Sequence, residues 1–136
     1  MDAVAAHPGL YDPAVSEPRL RGDRCTACSA AAFPPLRWGC QRCGAPAEQL
    51  VEDEFETTGK LLAFATVHRL PRGEVPYTIG EILLDAGPVV RARMASADGS
   101  GLRFDARVRG RLVSVGRDEE SGAELVDLRF DQTEES

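Results

Sequence analysis

The sequence predicts a mostly β protein in two parts, a short cysteine-rich module followed by a barrel of five short strands. Three observations predict it. All four cysteines fall as two CxxC pairs between residues 25 and 43. From residue 57 onward, apolar residues occur in short runs punctuated by Gly, Pro and Asp, the pattern of strands joined by turns. Pro8, Pro13 and Pro18 exclude a long helix at the N-terminus.

The elements follow in order. Residues 1–20 read as an irregular arm with one short helical turn near Asp12–Ser16, of the kind that a partner often orders. Residues 21–47 hold the cysteines with Pro34, Pro35 and Pro46, and too few apolar side chains to fold by burial alone. A first strand is expected from about Gly59 to Leu70, carrying Leu61, Leu62, Phe64 and Val67, and PRGEVP (71–76) ends it. Tyr77–Leu84 is a second strand, and DAGP (85–88) turns into a third, Val89–Met94. There Val90, Ala92 and Met94 alternate with Arg91 and Arg93, which gives one buried and one wet face. A loop over residues 96–101 leads to a fourth strand, Val108–Val115. The fifth, Glu124–Phe130, sets Val126, Leu128 and Phe130 against Leu125, Asp127 and Arg129. Five strands at this spacing fit a partly open OB-type barrel. The tail DQTEES is expected to fray.

The cysteines have the spacing C-x2-C-x11-C-x2-C, as CTAC and CQRC. Each CxxC brings two sulfurs onto one tight turn, and two facing turns offer four thiolates at tetrahedral positions. Gly44, after Cys43, suits a chain that curls around a metal, and Ser29 takes the corresponding place after Cys28 with a poorer fit. Four thiolates at Cys25, Cys28, Cys40 and Cys43 would fill the coordination sphere of Zn2+, so the ion would be structural. An iron–sulfur cluster and a redox CxxC pair are the competing readings, although the βαβ setting of a thioredoxin-like site is missing.

Length and composition narrow the function. The 136 residues suit one domain, or one domain with a small appended module. A net charge of −6 opposes non-specific binding to nucleic acid. One Trp, two Tyr and five Phe supply few stacking platforms for single strands. The charge is uneven: Glu48, Glu52, Asp53, Glu54 and Glu56 form an acidic run, and Arg103, Arg107, Arg109 and Arg111 a basic one. No run approaches the roughly 20 apolar residues of a membrane span, and the first residues lack the pattern of a signal peptide. The cytoplasm is therefore the expected location, with thiols kept reduced.

Single residues carry less. His68 could contact a ligand or act as a base, or be a surface histidine. Arg107, Arg109 and Arg111 alternate on one strand face and could meet phosphates or an acidic surface, as could Arg91 and Arg93, or they are a solvated face. Trp38 and Phe33, with Pro34 and Pro35, form either a lid over the metal loop or a docking surface. Glu74 and Glu81 are isolated carboxylates. The sequence holds no GxSxG, Walker loop, GxGxxG or HExxH.

The string RCTACSAAAFPPLRWGCQRCG, then ATVHRLP, then VPYTIGEILLDAGPVVRARM resembles the DUF35 family. Its most specific parts are Phe33–Pro35 inside the cysteine loop, Val67–Arg69, and Pro76–Val90, within a resemblance that covers about residues 20–115. The resemblance implies a rubredoxin-like zinc ribbon followed by an OB-fold, with the arm at 1–20, the ribbon at 21–50, the barrel at 51–132 and a tail at 133–136. It implies a non-catalytic subunit that joins a thiolase-superfamily enzyme in a hetero-oligomer and assists binding or transfer of acyl-CoA. Thiolases, hydroxymethylglutaryl-CoA synthase and steroid side-chain aldolases are such partners. His68, Arg69, Tyr77, Arg91 and Arg93 are the residues expected to contact coenzyme A or the partner. The aromatic-rich N-terminal helix common in the family is replaced here by the proline-containing arm, and the stretch after Met94 is less typical. A nucleic-acid-binding zinc-ribbon OB module is the alternative reading.

Overall fold

In the computed structural model, residues 3–35, 38–69, 71, 73 and 75–133 are described. Among these residues nine strands run in chain order: β1 (Val4–Ala5), β2 (Arg19–Cys25), β3 (Ala31–Ala32), β4 (Leu50–Glu56), β5 (Thr58–Val67), β6 (Tyr77–Leu84), β7 (Val89–Arg93), β8 (Arg107–Arg117) and β9 (Glu124–Gln132). They form two sheets, β3-β2-β4 and β1-β9-β8-β5-β6-β7.

The larger sheet curls into the expected barrel, and β5 to β9 are its five strands. Turn chemistry sets their limits. After β6, Gly87 takes a positive φ and its N–H bonds the carbonyl of Leu84, closing the hairpin to β7. A bulge at Leu61/Ala63 in β5 and another at Ser114/Gly116 in β8 add the curvature that closure requires. The sheet returns on itself where Met94 bridges Phe130 in parallel and the Ala95 N–H donates to the Phe130 carbonyl at 2.8 Å. Inside lie Leu61, Ile82, Leu84, Val108 and Phe130, all fully buried. The alternation expected of β7 and of the inner side of β9 is present: Val90, Met94, Val126, Leu128 and Phe130 are buried. On the outer side of β9, however, Asp127 is buried too, because the arm lies over it.

That arm departs from expectation. No helical turn forms near Asp12–Ser16; the Asp12 carboxylate instead accepts the Ala14 N–H in a local turn. Nor does the arm wait for a partner. Val4 and Ala5 add a parallel strand to β9, and the Ala6 N–H donates to the Val126 carbonyl at 2.7 Å. Tyr11 is buried, and its hydroxyl donates to the same carbonyl at 3.0 Å. A single aromatic anchor, by burying roughly 150–250 Å² and satisfying its hydroxyl, offsets the entropy of ordering the segment.

The acidic run is also more than a solvated stretch. Residues 50–56 form β4 and pair antiparallel with β2, which places Arg21 opposite Glu54 and Arg19 opposite Glu56. Arg24 Nε donates to Asp53 at 2.7 Å. The sheet's root enters the barrel core through Leu20 and Phe55. Gly22 lies under Ala32 so closely that a Cβ there would stand 2.2 Å from the Ala32 carbonyl oxygen. At the other end of the chain the tail does not fray from its start: Asp131 and Gln132 complete β9 and the Thr133 N–H is tied to the Arg107 carbonyl at 2.9 Å, while residues 134–136 lie outside the described residues. Leu70 and Glu74, read above as a strand end and a lone carboxylate, also lie outside them.

Candidate metal centre

β2 delivers Cys25 at its last residue, and the two CxxC turns follow one geometry. In the first, the Ser29 N–H bonds the Cys25 carbonyl at 2.8 Å and the Cys25 N–H bonds the Ala30 carbonyl at 2.9 Å. In the second, Gly44 bonds Cys40 and Cys40 bonds Ala45, each at 2.9 Å. Both turns place the residue after the second cysteine in the left-handed region, Gly44 at φ 80° and Ser29 at φ 67°. Glycine meets that need freely and serine at a cost, as the sequence indicates.

The four sulfurs lie within 4.8 Å of one another. Cys25 and Cys43 are 3.6 Å apart and Cys28 and Cys40 3.7 Å. Disulfides would need about 2.05 Å. Thiolates around one ion at about 2.3 Å would stand about 3.8 Å apart, which these spacings fit. Protonation favours the same reading. Backbone N–H groups of Cys43 and Arg42 bring the Cys40 thiol down to about 6. Cys43 is pushed up to about 12: the Ala45 N–H works against this, and desolvation with the sulfurs of Cys28, Cys25 and Cys40 prevails. Cys40 thus ionises readily while Cys43 resists, and a bound cation would offset that resistance.

The residues expected to meet a ligand are only partly gathered. Val67 pairs with Tyr77, so His68 and Arg69 leave β5 at the barrel end where Tyr77 begins β6, and both are exposed. The Arg93 guanidinium lies over the Tyr77 ring, 4.3 Å from its centroid. Arg91 is held away, with its Nη2 2.9 Å from Glu81. Two of the four arginines of the basic run are paired: Arg107 grips Asp85 with two hydrogen bonds of 2.8 and 2.6 Å, and Arg111 pairs with Asp131. Phe33 and Trp38 part company, the first packing on the core and the second 80% exposed. Sequence reasoning missed the buried Asp127, held between Arg129 at 3.1 Å and His7 at 3.6 Å. Its alternation with Leu128 gave it a solvent-facing position, and only the docked arm changes that.

Fold and site together define a class: a four-cysteine ribbon rooted in an OB-type barrel. Residues 52–113 match the family model described as ChsH2, C-terminal OB-fold domain. A solved structure described as an Ltp2–ChsH2(DUF35) aldolase aligns with a TM-score of 0.63 at 21% identity, over 84% of this chain and 84% of that one. Among curated proteins no sequence matches the chain. Through its barrel the chain resembles the DUF35 family. Among the described residues no helix is long and apolar enough to cross a membrane.

Proposed function

We propose that the chain is a non-catalytic subunit that docks on a thiolase-superfamily enzyme in a hetero-oligomer and assists in handling acyl-CoA in the cytoplasm. One observation carries the reading: the fold likeness extends over most of both chains to an aldolase whose name pairs Ltp2 with a DUF35 chain. In this reading Zn2+ is held by Cys25, Cys28, Cys40 and Cys43. With four thiolates it supplies order to the ribbon of residues 21–50 and leaves no open position for chemistry. The barrel of residues 51–132 then presents the contact surface.

Two features of that surface support the role. Ile79 and Leu83 of β6 and Val89 of β7 share the outer face and are exposed, an apolar patch around the Glu81–Arg91 ion pair. At the barrel end, His68, Arg69, Tyr77 and Arg93, with Arg91 on the adjoining strand, are the residues we assign to coenzyme A or the partner. The rival, a nucleic-acid interface, draws no support from the basic strand, whose Arg107 and Arg111 are spent on carboxylates.

The test is co-expression with a thiolase-like protein encoded beside this chain. Co-elution as a stable complex, with partner activity that falls when the chain is omitted, is the expected result. A partner with full activity and stability alone would refute the reading.

A further inference from the structure

A groove of about 360 Å³ follows the seam of the barrel. β7 and β9 are bridged only at Met94 and Phe130 among the described residues, and the gap beyond that bridge is walled by the arm through His7, Leu10 and Tyr11. Its lining is mainly apolar, with Leu10, Phe33, Val90, Ala92 and Leu128 prominent.

Polar groups enter from one side. The Leu84 N–H bonds the Pro88 carbonyl, and the Met94 N–H bonds the Thr78 carbonyl. By the alternation of an antiparallel ladder, Val90 and Ala92 also turn their backbone groups toward β6. Val89, Arg91 and Arg93 therefore turn theirs toward the open seam. Of the two arginines lining the groove, Arg91 is committed to Glu81, whereas Arg93 touches the Tyr77 ring and has no carboxylate partner among the described residues. Asp127 on the facing lip would repel an anion, but Arg129 pairs with it at 3.1 Å. Binding sites for small molecules combine an apolar hollow of about 300–1,000 Å³ with a few placed polar groups, and this hollow lies at the lower end.

We infer that the seam groove binds a slender amphiphile, its apolar body lying along Val90, Ala92 and Leu128 and its single oxyanion meeting Arg93. The inference goes beyond the proposed partner role. Arg93 is common to both, but the groove needs neither coenzyme A nor another protein.

The full chain, loaded with Zn2+, is titrated calorimetrically with decanoate and with decanol below their aggregation limits. Saturable one-to-one binding of decanoate is expected, with decanol about tenfold weaker for want of the charge-assisted contact. Arg93→Gln should lower decanoate to the level of decanol and leave decanol unchanged. Ala92→Phe, which fills the hollow, should abolish both. Amide shifts in the wild-type chain should centre on residues 90–93 and 128–130, a readout that stands even if Ala92→Phe does not fold. No saturable binding, equal affinity for acid and alcohol, shifts centred elsewhere, or full binding by folded Ala92→Phe would each overturn the inference. Because partner and coenzyme A are absent, failure here leaves the proposed docking role untouched.

Discussion

The ribbon and the barrel are both β structure, but different forces hold them. The barrel encloses Leu61, Ile82, Leu84, Val108 and Phe130, and its cohesion is apolar burial. In the ribbon, Cys25 and Cys40 are the only buried hydrophobic residues between 21 and 50 among those described. Its tip is drawn together by four sulfurs and a handful of turn hydrogen bonds. Only at its root, through Leu20 and Phe55, does the small sheet share the barrel's core. A domain this small can thus carry a segment without its own core, provided that a bound ion replaces burial at the far end.

Breaking the metal centre should have the largest effect. Structural zinc binding contributes roughly 10–16 kcal/mol in small peptides. Chelation, or Cys28→Ser, should therefore unfold the ribbon tip, seen as lost amide dispersion for residues 25–45, while barrel resonances persist. Zinc uptake at neutral pH must displace the proton from Cys43, so competition titrations should show affinity falling as pH drops.

Next comes the barrel. Phe130→Ala should cost about 3–5 kcal/mol, read as a shift of the denaturant midpoint with zinc still bound. A ribbon that lost its metal in this variant would show the two regions to be less separable than described.

A smaller effect sharpens the comparison inside the ribbon. The two CxxC turns share a left-handed position, filled by glycine in one and serine in the other. Gly44→Ala should destabilise the zinc-loaded ribbon by about 1–2 kcal/mol, and Ser29→Gly should be neutral or stabilising, by zinc-competition and thermal melts.

The smallest effect belongs to a surface pair on the barrel. Arg107 holds the Asp85 carboxyl below the usual carboxylate range, against desolvation and with help from the Thr58 hydroxyl. The folded value is depressed, so the stabilisation is fully present above the unfolded pKa of about 3.9 and is lost as pH falls through the folded one. Asp85→Asn should cost only about 0.2–1 kcal/mol at neutral pH, because both groups are substantially exposed, and nothing in strong acid. Chemical denaturation at two pH values would measure it.

What could be read from residues alone followed the same division. β6 is legible to the residue, since Tyr77–Leu84 is bounded by Pro76 and by the Asp85–Pro88 turn, and in β9 the inner Val126, Leu128 and Phe130 fall at alternate positions, although the buried Asp127 breaks the pattern on the other face. The metal centre is legible because its ligands are local in sequence. β4 is not: of Leu50–Glu56 only Phe55 is buried, and Asp53, Glu54 and Glu56 meet Arg24, Arg21 and Arg19 of a strand some 30 residues earlier. The arm is hidden for a similar reason, since Tyr11 finds its place only on a strand more than 100 residues away. Long-range pairing leaves little trace in a local pattern. The groove is less legible still, because it is a gap between strands rather than a property of any one.

In the proposed reading a cation held by the four sulfurs, and not burial, orders the tip of the ribbon. Hydrogen exchange of the full chain before and after zinc removal addresses it most directly. Protection should vanish around residues 25–45, survive in part near Leu20 and Phe55, and stay unchanged in the barrel strands. Equal protection of residues 25–45 with and without the metal would contradict it.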